Sequence, residues 1–405
     1  MKGLVVLIKQ LVVFSILASS ALCADELSDI LSDNKNILFD YEYQSNAAKS
    51  DMLENSWINP IMVQYSRSYS KQFTDRTVKT GSFSIGIDQP IFRSGGIYYA
   101  IKYAQALRGA NNAQIALKKK ETIGNAVKLL FQIKKTELEQ KKVALLVRND
   151  KLDVRQKRES YNAGLMDSSF LDQAILKANQ DETRMLEAEI NLEKLKQNFS
   201  LLSNKNPNKI KLPTLKLIQS TRFKTKNLEL TRDKLRAEEK KYNAKMTWAK
   251  YMPAVSVQGR YIDADLNPLF AMQPGLEERY LTYGFTISMP LNINMFSDIE
   301  ASKVDYMKAE TEILERKKTI EQEYKTIRSR LRIIDKKIAL SKKDARLYAR
   351  LYRTTKNLER AGERTSLDST MMQNSLKIRK IDKRIYELDK QIELIELYTK
   401  VASAI

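Results

Sequence analysis

The chain has 405 residues with 70 Lys and Arg against 49 Asp and Glu, a formal charge of +21, no histidine and one cysteine. Histidine is the usual general base of nucleophilic triads and, with cysteine, the usual ligand for zinc, copper and haem, so enzymatic chemistry here would rest on carboxylates alone and no metal or cofactor is expected. A positive balance of this size points to nucleic acid in a cytosolic protein, whereas in an exported one it reflects solvated helix faces near anionic lipid or acidic partners.

The N-terminus favours export, and no nucleic acid is expected among the partners. Residues 1–23 read as a secretory signal peptide: a basic start at Lys2 and Lys9, an apolar run from Leu11 to Leu17, and small residues at Ala18, Ser19, Ser20 and Ala21 before Ala24 and Asp25. Cleavage after Cys23 would carry the one cysteine away; acylation of Cys23 is the alternative, weakened by bulky Leu22 beside it. Lys9 cuts the apolar stretch short of the roughly 20 residues that a spanning helix needs, and no later segment approaches that length. A helical membrane protein is thereby excluded, while a β-barrel is not.

A first repeat covers residues 24–203. After a short N-terminal helix come two strand-like segments. One lies at about 59–70 (Ile61, Val63, Tyr65); in the other, at about 80–92, Phe83, Ile85 and Ile87 alternate with Ser84, Gly86 and Asp88. A strict period of two gives one apolar face and one wet face. No proline occurs from residue 91 to 206, and segment 97–203 is rich in helix formers, so it reads as a helical hairpin with its tip at Gly164. Its first arm, Ile97 to Asn162, is a rod of about 100 Å at 1.5 Å per residue. In the return arm Leu171, Ala174, Ala178, Asp181, Met185, Ala188, Leu192, Leu195, Phe199 and Leu202 keep the three-four rhythm of a coiled-coil seam, broken in polarity only by Asp181. Asp167 or Ser168 is placed to cap that arm.

Residues 204–222, with Asn204, Asn206, Pro207, Asn208 and Pro213, form a linker. A second repeat, 223–405, then replays the first: a helix at 223–250, strands at about 254–264 (Val255, Val257, Tyr261) and 280–291, and a helical hairpin at 297–404. Tyr283, Phe285, Ile287 and Met289 alternate with Gly284, Thr286 and Ser288, and the hairpin has its tip at Gly362, the one glycine between Phe285 and Ile405. Heptad seams run through Ile320, Tyr324, Ile327, Leu331, Ile334 and Ile338, and again through Ile378, Ile381, Ile385, Leu388, Ile392 and Ile395. Thr365 with Asp368 three residues on has the form of a capping box. The markers keep step across the halves: Gly362 follows Gly164 by 198 positions, Pro290 follows Pro90 by 200, and Pro253 follows Pro60 by 193. The chain is an internal duplication.

Four strands cannot close a barrel by themselves, so copies of the chain would have to share one. Trp57, Tyr65, Tyr69, Phe83, Tyr261 and Tyr283 cluster as an aromatic membrane girdle does. The fold class expected is an α+β membrane protein: long antiparallel coiled-coil hairpins beside four β-strands that each chain contributes to a shared barrel.

At this point the motifs resemble the TolC family of outer-membrane channel-tunnels. Gly362, Glu363, Arg364, Thr365, Ser366, Leu367 and Asp368 look like the family's Gly-x-Arg-Thr-x-x-Asp turn, and Tyr161, Asn162, Ala163, Gly164 and Leu165 look like the matching first-repeat turn. Gln89, Pro90, Ile91 and Phe92 before Gly95 and Gly96, and Met289, Pro290 and Leu291, look like the strand-to-helix junctions of both halves. The resemblance implies a homotrimer with a 12-stranded β-barrel in the outer membrane of a Gram-negative bacterium. It also implies a helical α-barrel through the periplasm with 204–222 at its equator, and passive efflux or type I secretion of cargo. Phe83, Ile85, Ile87, Tyr283, Phe285 and Ile287 would face lipid, with Ser84, Thr286 and Ser288 facing the bore. The tips would bind a periplasmic adaptor through Ala163, Gly164, Leu165, Ala361, Gly362 and Glu363, coupling the duct to an inner-membrane RND or ABC transporter. There the family constricts to a gate. Arg364, Thr365 and Asp368 match its gate positions, but the family tyrosine falls at Glu359, its constriction aspartate at Met371, and the first-turn threonine and aspartate at Ser169 and Phe170. Asp167 is the nearest carboxylate that could replace the lost partner of Arg364, the alternative being that Asp167 is a helix cap and Arg364 a solvated charge.

Two other readings belong to different classes. A secreted coiled-coil scaffold or adhesin without a pore has no need of barrel-compatible strands. A carboxylate-based envelope enzyme would have Glu277 and Glu278 as its paired acids, on a loop without pocket-like sequence.

Overall fold

The structure is a computed structural model that describes residues 29–71, 77–265, 275 and 277–402; the signal-like segment, Cys23 and the greater part of the loop before residue 279 lie outside the described residues. Among the described residues, seven helices and four strands follow in chain order: α1 Asp33–Glu54, β1 Met62–Ser70, β2 Val78–Phe92, α2 Gly96–Asn162, α3 Ser168–Ser200, α4 Ser220–Thr225, α5 Leu228–Lys250, β3 Ala254–Ala264, β4 Arg279–Ser288, α6 Met295–Arg360 and α7 Ser366–Tyr398. The two halves agree in element length as well as order. α1 and α5 have 22 and 23 residues, α2 and α6 have 67 and 66, and α3 and α7 have 33 each. Among the described residues no helix is long and apolar enough to cross a membrane.

The chain divides into two compact units. The unit of residues 41–115 and 230–316 holds the sheet, antiparallel throughout in the order β1-β2-β3-β4. Residues 62, 86, 260 and 282 share a row, and so do 63, 85, 261 and 281. Next to the sheet in sequence, α1 meets α2 across small side chains. Ala104, Ala106 and Ala110 are buried, Ser50 Oγ donates to the Ala104 carbonyl at 3.0 Å, and Asn46 donates to the Arg108 carbonyl at 3.1 Å and to Asn112 at 2.9 Å. At the junction leaving β2 the ladder slips at Pro90, and Ser94 and Gly95 take positive φ of 49° and 84°. Ser94 Oγ is tied to the Pro253 carbonyl at 2.7 Å.

The other unit, of residues 29–40, 116–229 and 317–402, is helical. α2 and α7 run antiparallel, joined at seven-residue steps by Lys128–Glu396 (3.4 Å), Lys135–Asp389 (2.8 Å) and Lys142–Asp382 (2.7 Å). Beneath these pairs lies the apolar seam, in which Val127, Phe131, Ile378, Ile385 and Ile395 are buried. Burying that stripe, at roughly 25 cal/mol per Å2 of apolar area, outweighs partly exposed pairs such as Lys128–Glu396, which contribute about 0–1 kcal/mol each; Asp382 is itself buried. The linker is held on this unit: Leu215 N–H donates to Gln391 Oε1 at 2.7 Å, and Tyr324 OH donates to the Ile218 carbonyl at 2.9 Å.

Four boundaries differ from the sequence reading. The helix expected at 223–250 is two, because Asn227 bridges Val401 and the Leu228 N–H donates to the Lys400 carbonyl at 2.8 Å; those bonds take the backbone out of the helical ladder. The same pairing ends the last hairpin at Tyr398 rather than at 404. β1 starts at Met62 instead of 59, since Asn59 spends its N–H on Gln89 Oε1 (3.0 Å), and β4 ends at Ser288, short of Pro290, which has no N–H to give.

One contact in the helical unit tests this packing. A Cβ on Gly124 would lie 1.9 Å from Thr399 Cγ2 and 3.2 Å from its Cβ. On an open helix Gly→Ala stabilises by about 1 kcal/mol; here Gly124→Ala should instead destabilise by about 1–3 kcal/mol through overpacking. Thr399→Ala, added to it, should recover most of the loss in thermal unfolding followed by circular dichroism in detergent. A stabilising Gly124→Ala would contradict the crossing.

Candidate functional site

Alternation along each strand and the register between strands together sort the sheet into two chemistries. Because paired residues of an antiparallel ladder share a face, Val63, Ile85, Tyr261 and Leu281 stand in one apolar row. Ile87 and Tyr283 flank Gly259 in the next, and Val257 pairs with Phe285 and Val255 with Ile287 beyond it. Phe83 pairs with Tyr65 on the same face, beside a polar border where Arg279 meets Asp263 at 3.1 Å. All six residues expected to face lipid therefore lie on one face. The opposite face is mainly polar, with Gln64, Ser66, Ser82, Ser84, Ser256, Gln258, Thr282, Thr286 and Ser288, and with Met62, Ile262 and Tyr280 among them. Among the described residues nothing covers the apolar face, and Phe285 is 73% exposed. Ten residues of β4 extend about 34 Å, which at the usual barrel tilt of about 40° gives roughly 25 Å, the height of a membrane barrel's apolar band. The outer edges of β1 and β4 have no strand partner among the described residues.

The second feature is the pair of hairpin tips. At the first, the Leu165 N–H donates to the Ser160 carbonyl and the Gly164 N–H to the Tyr161 carbonyl, both at 2.9 Å. At the second, Glu363 donates to Leu358 at 2.9 Å and Gly362 to Glu359 at 3.1 Å. Both are Schellman motifs, with the glycine in the left-handed region at φ 73° and 77°. Entry into the return helices differs. The Asp167 carboxylate accepts from the Ser169 N–H at 2.8 Å, which holds it below the usual carboxylate range. Thr365 and Asp368 form a complete reciprocal capping box, with Thr365 N–H to Asp368 Oδ2 at 3.1 Å and Asp368 N–H to Thr365 Oγ1 at 3.2 Å.

The remaining tip residues divide by what holds them. Glu359 is kept below the ordinary carboxylate range first by the Ser369 hydroxyl and then by Lys356, 3.0 Å away, so it ties the end of α6 to the start of α7. Met371 is half-buried, and its carbonyl accepts from Asn149 at 3.3 Å. Ala163, Gly164, Ala361, Gly362, Glu363 and Arg364 are exposed, as is Leu165 at 82%. Within one chain the structure does not bring Arg364 and Asp167 together: Asp167 caps α3, and Arg364 lies in solvent.

Sequence reasoning missed a basic groove between α2 and α7. Lys141, Arg148, Lys377, Lys380 and Arg384 rim a space of about 630 Å3 floored by Ala144, Leu145 and Ile381. Neighbouring cations of the same helices are paired, as in Lys134–Glu137 and Lys383–Glu387. The signal was available as two i, i+3, i+4, i+7 sets, but only the antiparallel match of α2 with α7 puts them side by side.

A four-stranded sheet with one apolar face, not closed into a barrel among the described residues, together with paired helical hairpins, is a fold shared with outer-membrane channel proteins. Among solved structures, the outer membrane protein VceC from Vibrio cholerae matches with a TM-score of 0.74 at 14% identity, over 94% of this chain and 97% of that one. The CmeC outer membrane channel of Campylobacter jejuni matches with a TM-score of 0.73 at 14% identity, over 92% and 84%. The open state of the MtrE outer membrane channel of Neisseria gonorrhoeae matches at 0.65 and 10% identity, over 93% and 88%. No family model and no curated protein matches the sequence. At these identities the likeness is one of fold.

The tip geometry carries a direct test. Nothing lies within 4 Å of a Cβ placed on Gly362, so its φ is the sole steric reason for glycine. Gly362→Ala should cost about 1–2 kcal/mol and Gly362→Asn distinctly less, because asparagine tolerates the left-handed region. Equal melting temperatures for the two variants would refute this account of the tip.

Proposed function

We propose that the chain is one subunit of a trimeric outer-membrane channel. In this reading it is a passive exit duct of a tripartite efflux pump or type I secretion system, opened at its periplasmic tips by an adaptor. The observation that carries the reading is the open sheet. In lipid every backbone N–H and C=O needs a partner, so edges β1 and β4 must be paired by other copies. Two copies would supply eight strands, a barrel whose interior side chains fill; three supply twelve and leave a watery bore for the Ser and Thr face.

The helices support the same association of copies. Besides its seam with α2, α3 has a second, exposed apolar row at Leu176, Leu186 and Ile190, and α6 has one at Ile333, Leu340 and Leu351. The rows match in height: Leu176 is 12 residues past Gly164 and Leu351 is 11 before Gly362, while Leu186 and Leu340 are both 22 from their glycines. Glu187 and Glu189 flank the α3 row, Lys336 and Lys343 the α6 row. Side by side in successive copies, these rows close a wall of helices. At the tips, Arg364 pairs across the copy boundary with a carboxylate such as Asp167 and holds the closed state, and the exposed Leu165, Ala163, Ala361 and Glu363 meet the adaptor. The basic groove of α2 and α7 suits an acidic helix of that partner. An inner-membrane RND or ABC transporter supplies the energy.

Two measurements test the reading. Purified protein should run as a trimer by native mass and give small, long-lived conductance steps in planar bilayers, and Arg364→Ala should raise the open probability; unchanged gating would refute the lock. Leu340→Asp should lower the trimer fraction at least tenfold, since a carboxylate would be buried without a partner. A soluble monomer that never inserts would return the pore-free scaffold to first place.

A further inference from the structure

The one polar interruption of the α3 seam has a counterpart on α2. Asp181 and Asp150 are each 3% exposed, and their carboxyl groups lie within hydrogen-bonding reach of each other across the seam, beside buried Val147, Ala174 and Ala178. Each carboxyl is held from the solvent side by one cation: Lys177 Nζ at 2.5 Å from Asp150 Oδ1, and Arg184 at 2.7 Å from Asp181 Oδ1. The inner oxygen, Asp150 Oδ2, is sealed from solvent and receives no N–H or O–H from the protein.

Ionised carboxylates are acceptors only, so two of them can hydrogen-bond only through a proton. A buried carboxylate oxygen without a donor is costly, and a proton on it removes that cost. We propose that Asp150 and Asp181 share one proton across the α2/α3 seam, and that its loss to water loosens the first hairpin as pH rises. With the proton in place, an O–H···O bond joins the helices in an otherwise apolar layer. Without it, two like charges face each other there.

The surrounding charges do not replace this proton. On α2, Asp153 is held by Lys157 at 3.1 Å, and Lys151 by Glu182 of α3 at 2.8 Å. From α7, the neighbours at this level are Asn374 and Ser375, uncharged and bonded to Asn149. Burial is the largest influence on Asp150 and raises it above its ordinary 3.8, against the pull of Lys177. The sign follows: the folded hairpin binds more protons than the unfolded chain, so this contribution is complete below the ordinary aspartate value and is lost as pH rises through the raised one. The inference stands whether or not the chain forms a duct.

The test is hydrogen exchange on the full-length protein in detergent, at about pH 3.5 and about pH 8, with intrinsic exchange rates corrected. Peptides covering 143–155 and 174–186 should exchange at least threefold faster at the higher pH. Asp181→Asn, whose amide donates to Asp150 at either pH, should abolish the difference. If the variant does not fold, infrared titration of the wild type alone decides: a carbonyl stretch of a protonated, solvent-shielded carboxyl must be present at the lower pH and vanish at the higher. Identical pH dependence in wild type and variant, or no such carbonyl stretch, would overturn the proposal.

Discussion

A sheet edge cannot be left open in lipid, and from that constraint the rest of the account follows. Water satisfies the unpaired backbone groups of an edge strand in a soluble protein; hydrocarbon does not, at several kcal/mol per group. Among the described residues this chain carries an antiparallel sheet whose outer strands have no strand partner, with one apolar face and strands long enough to cross a membrane. Strand chemistry and strand number therefore make opposite demands, the first fit for a membrane and the second insufficient for it. In the proposed reading, association of copies resolves them. The reading that the sheet belongs to a channel rests on this conflict as much as on the likeness of fold.

Association also gives meaning to features of the helical unit that a single chain leaves unexplained. Helices α3 and α6 each have one apolar row spent inside the chain and another, exposed, a fraction of a turn away. A helix in a closed wall of helices has neighbours on two sides and needs two rows. Duplication supplies both kinds of surface at once, because each half brings a long helix and a shorter return helix of matched length. The tips have a different logic. Their paired Schellman turns fix chain reversal by backbone geometry, which leaves the exposed side chains free for partners.

Features governed by local chemistry were legible in the sequence. Strand alternation at Phe83, Ile85 and Ile87, the glycine turns and the Thr365–Asp368 box each have causes within a few residues, and the structure carries all of them. Features set by distant segments were not. The break at Lys226–Asn227 is made by residues 400–402, more than 170 positions away, and helix propensity gives no sign of it. Asp181 was visible as a break in the seam, but its partner Asp150 was not, because only the pairing of the two helices brings them together. The basic groove needed the antiparallel match of α2 with α7. The pairing of Arg364 with Asp167 is absent within one chain, since the local cap at Ser169 claims Asp167.

The central claim is that the free edges of the sheet meet in a ring of three. In a Cys23→Ser background, Ser66→Cys on β1 can be combined in turn with Thr282→Cys, Gly284→Cys or Thr286→Cys on β4, and the protein oxidised in native membranes. The account predicts that at least one combination gives a ladder of covalent dimer and trimer that stops at trimer, with neither single cysteine going beyond a dimer. Absence of any cross-link in all three combinations, or a ladder that continues past trimer, would contradict a closed three-chain barrel.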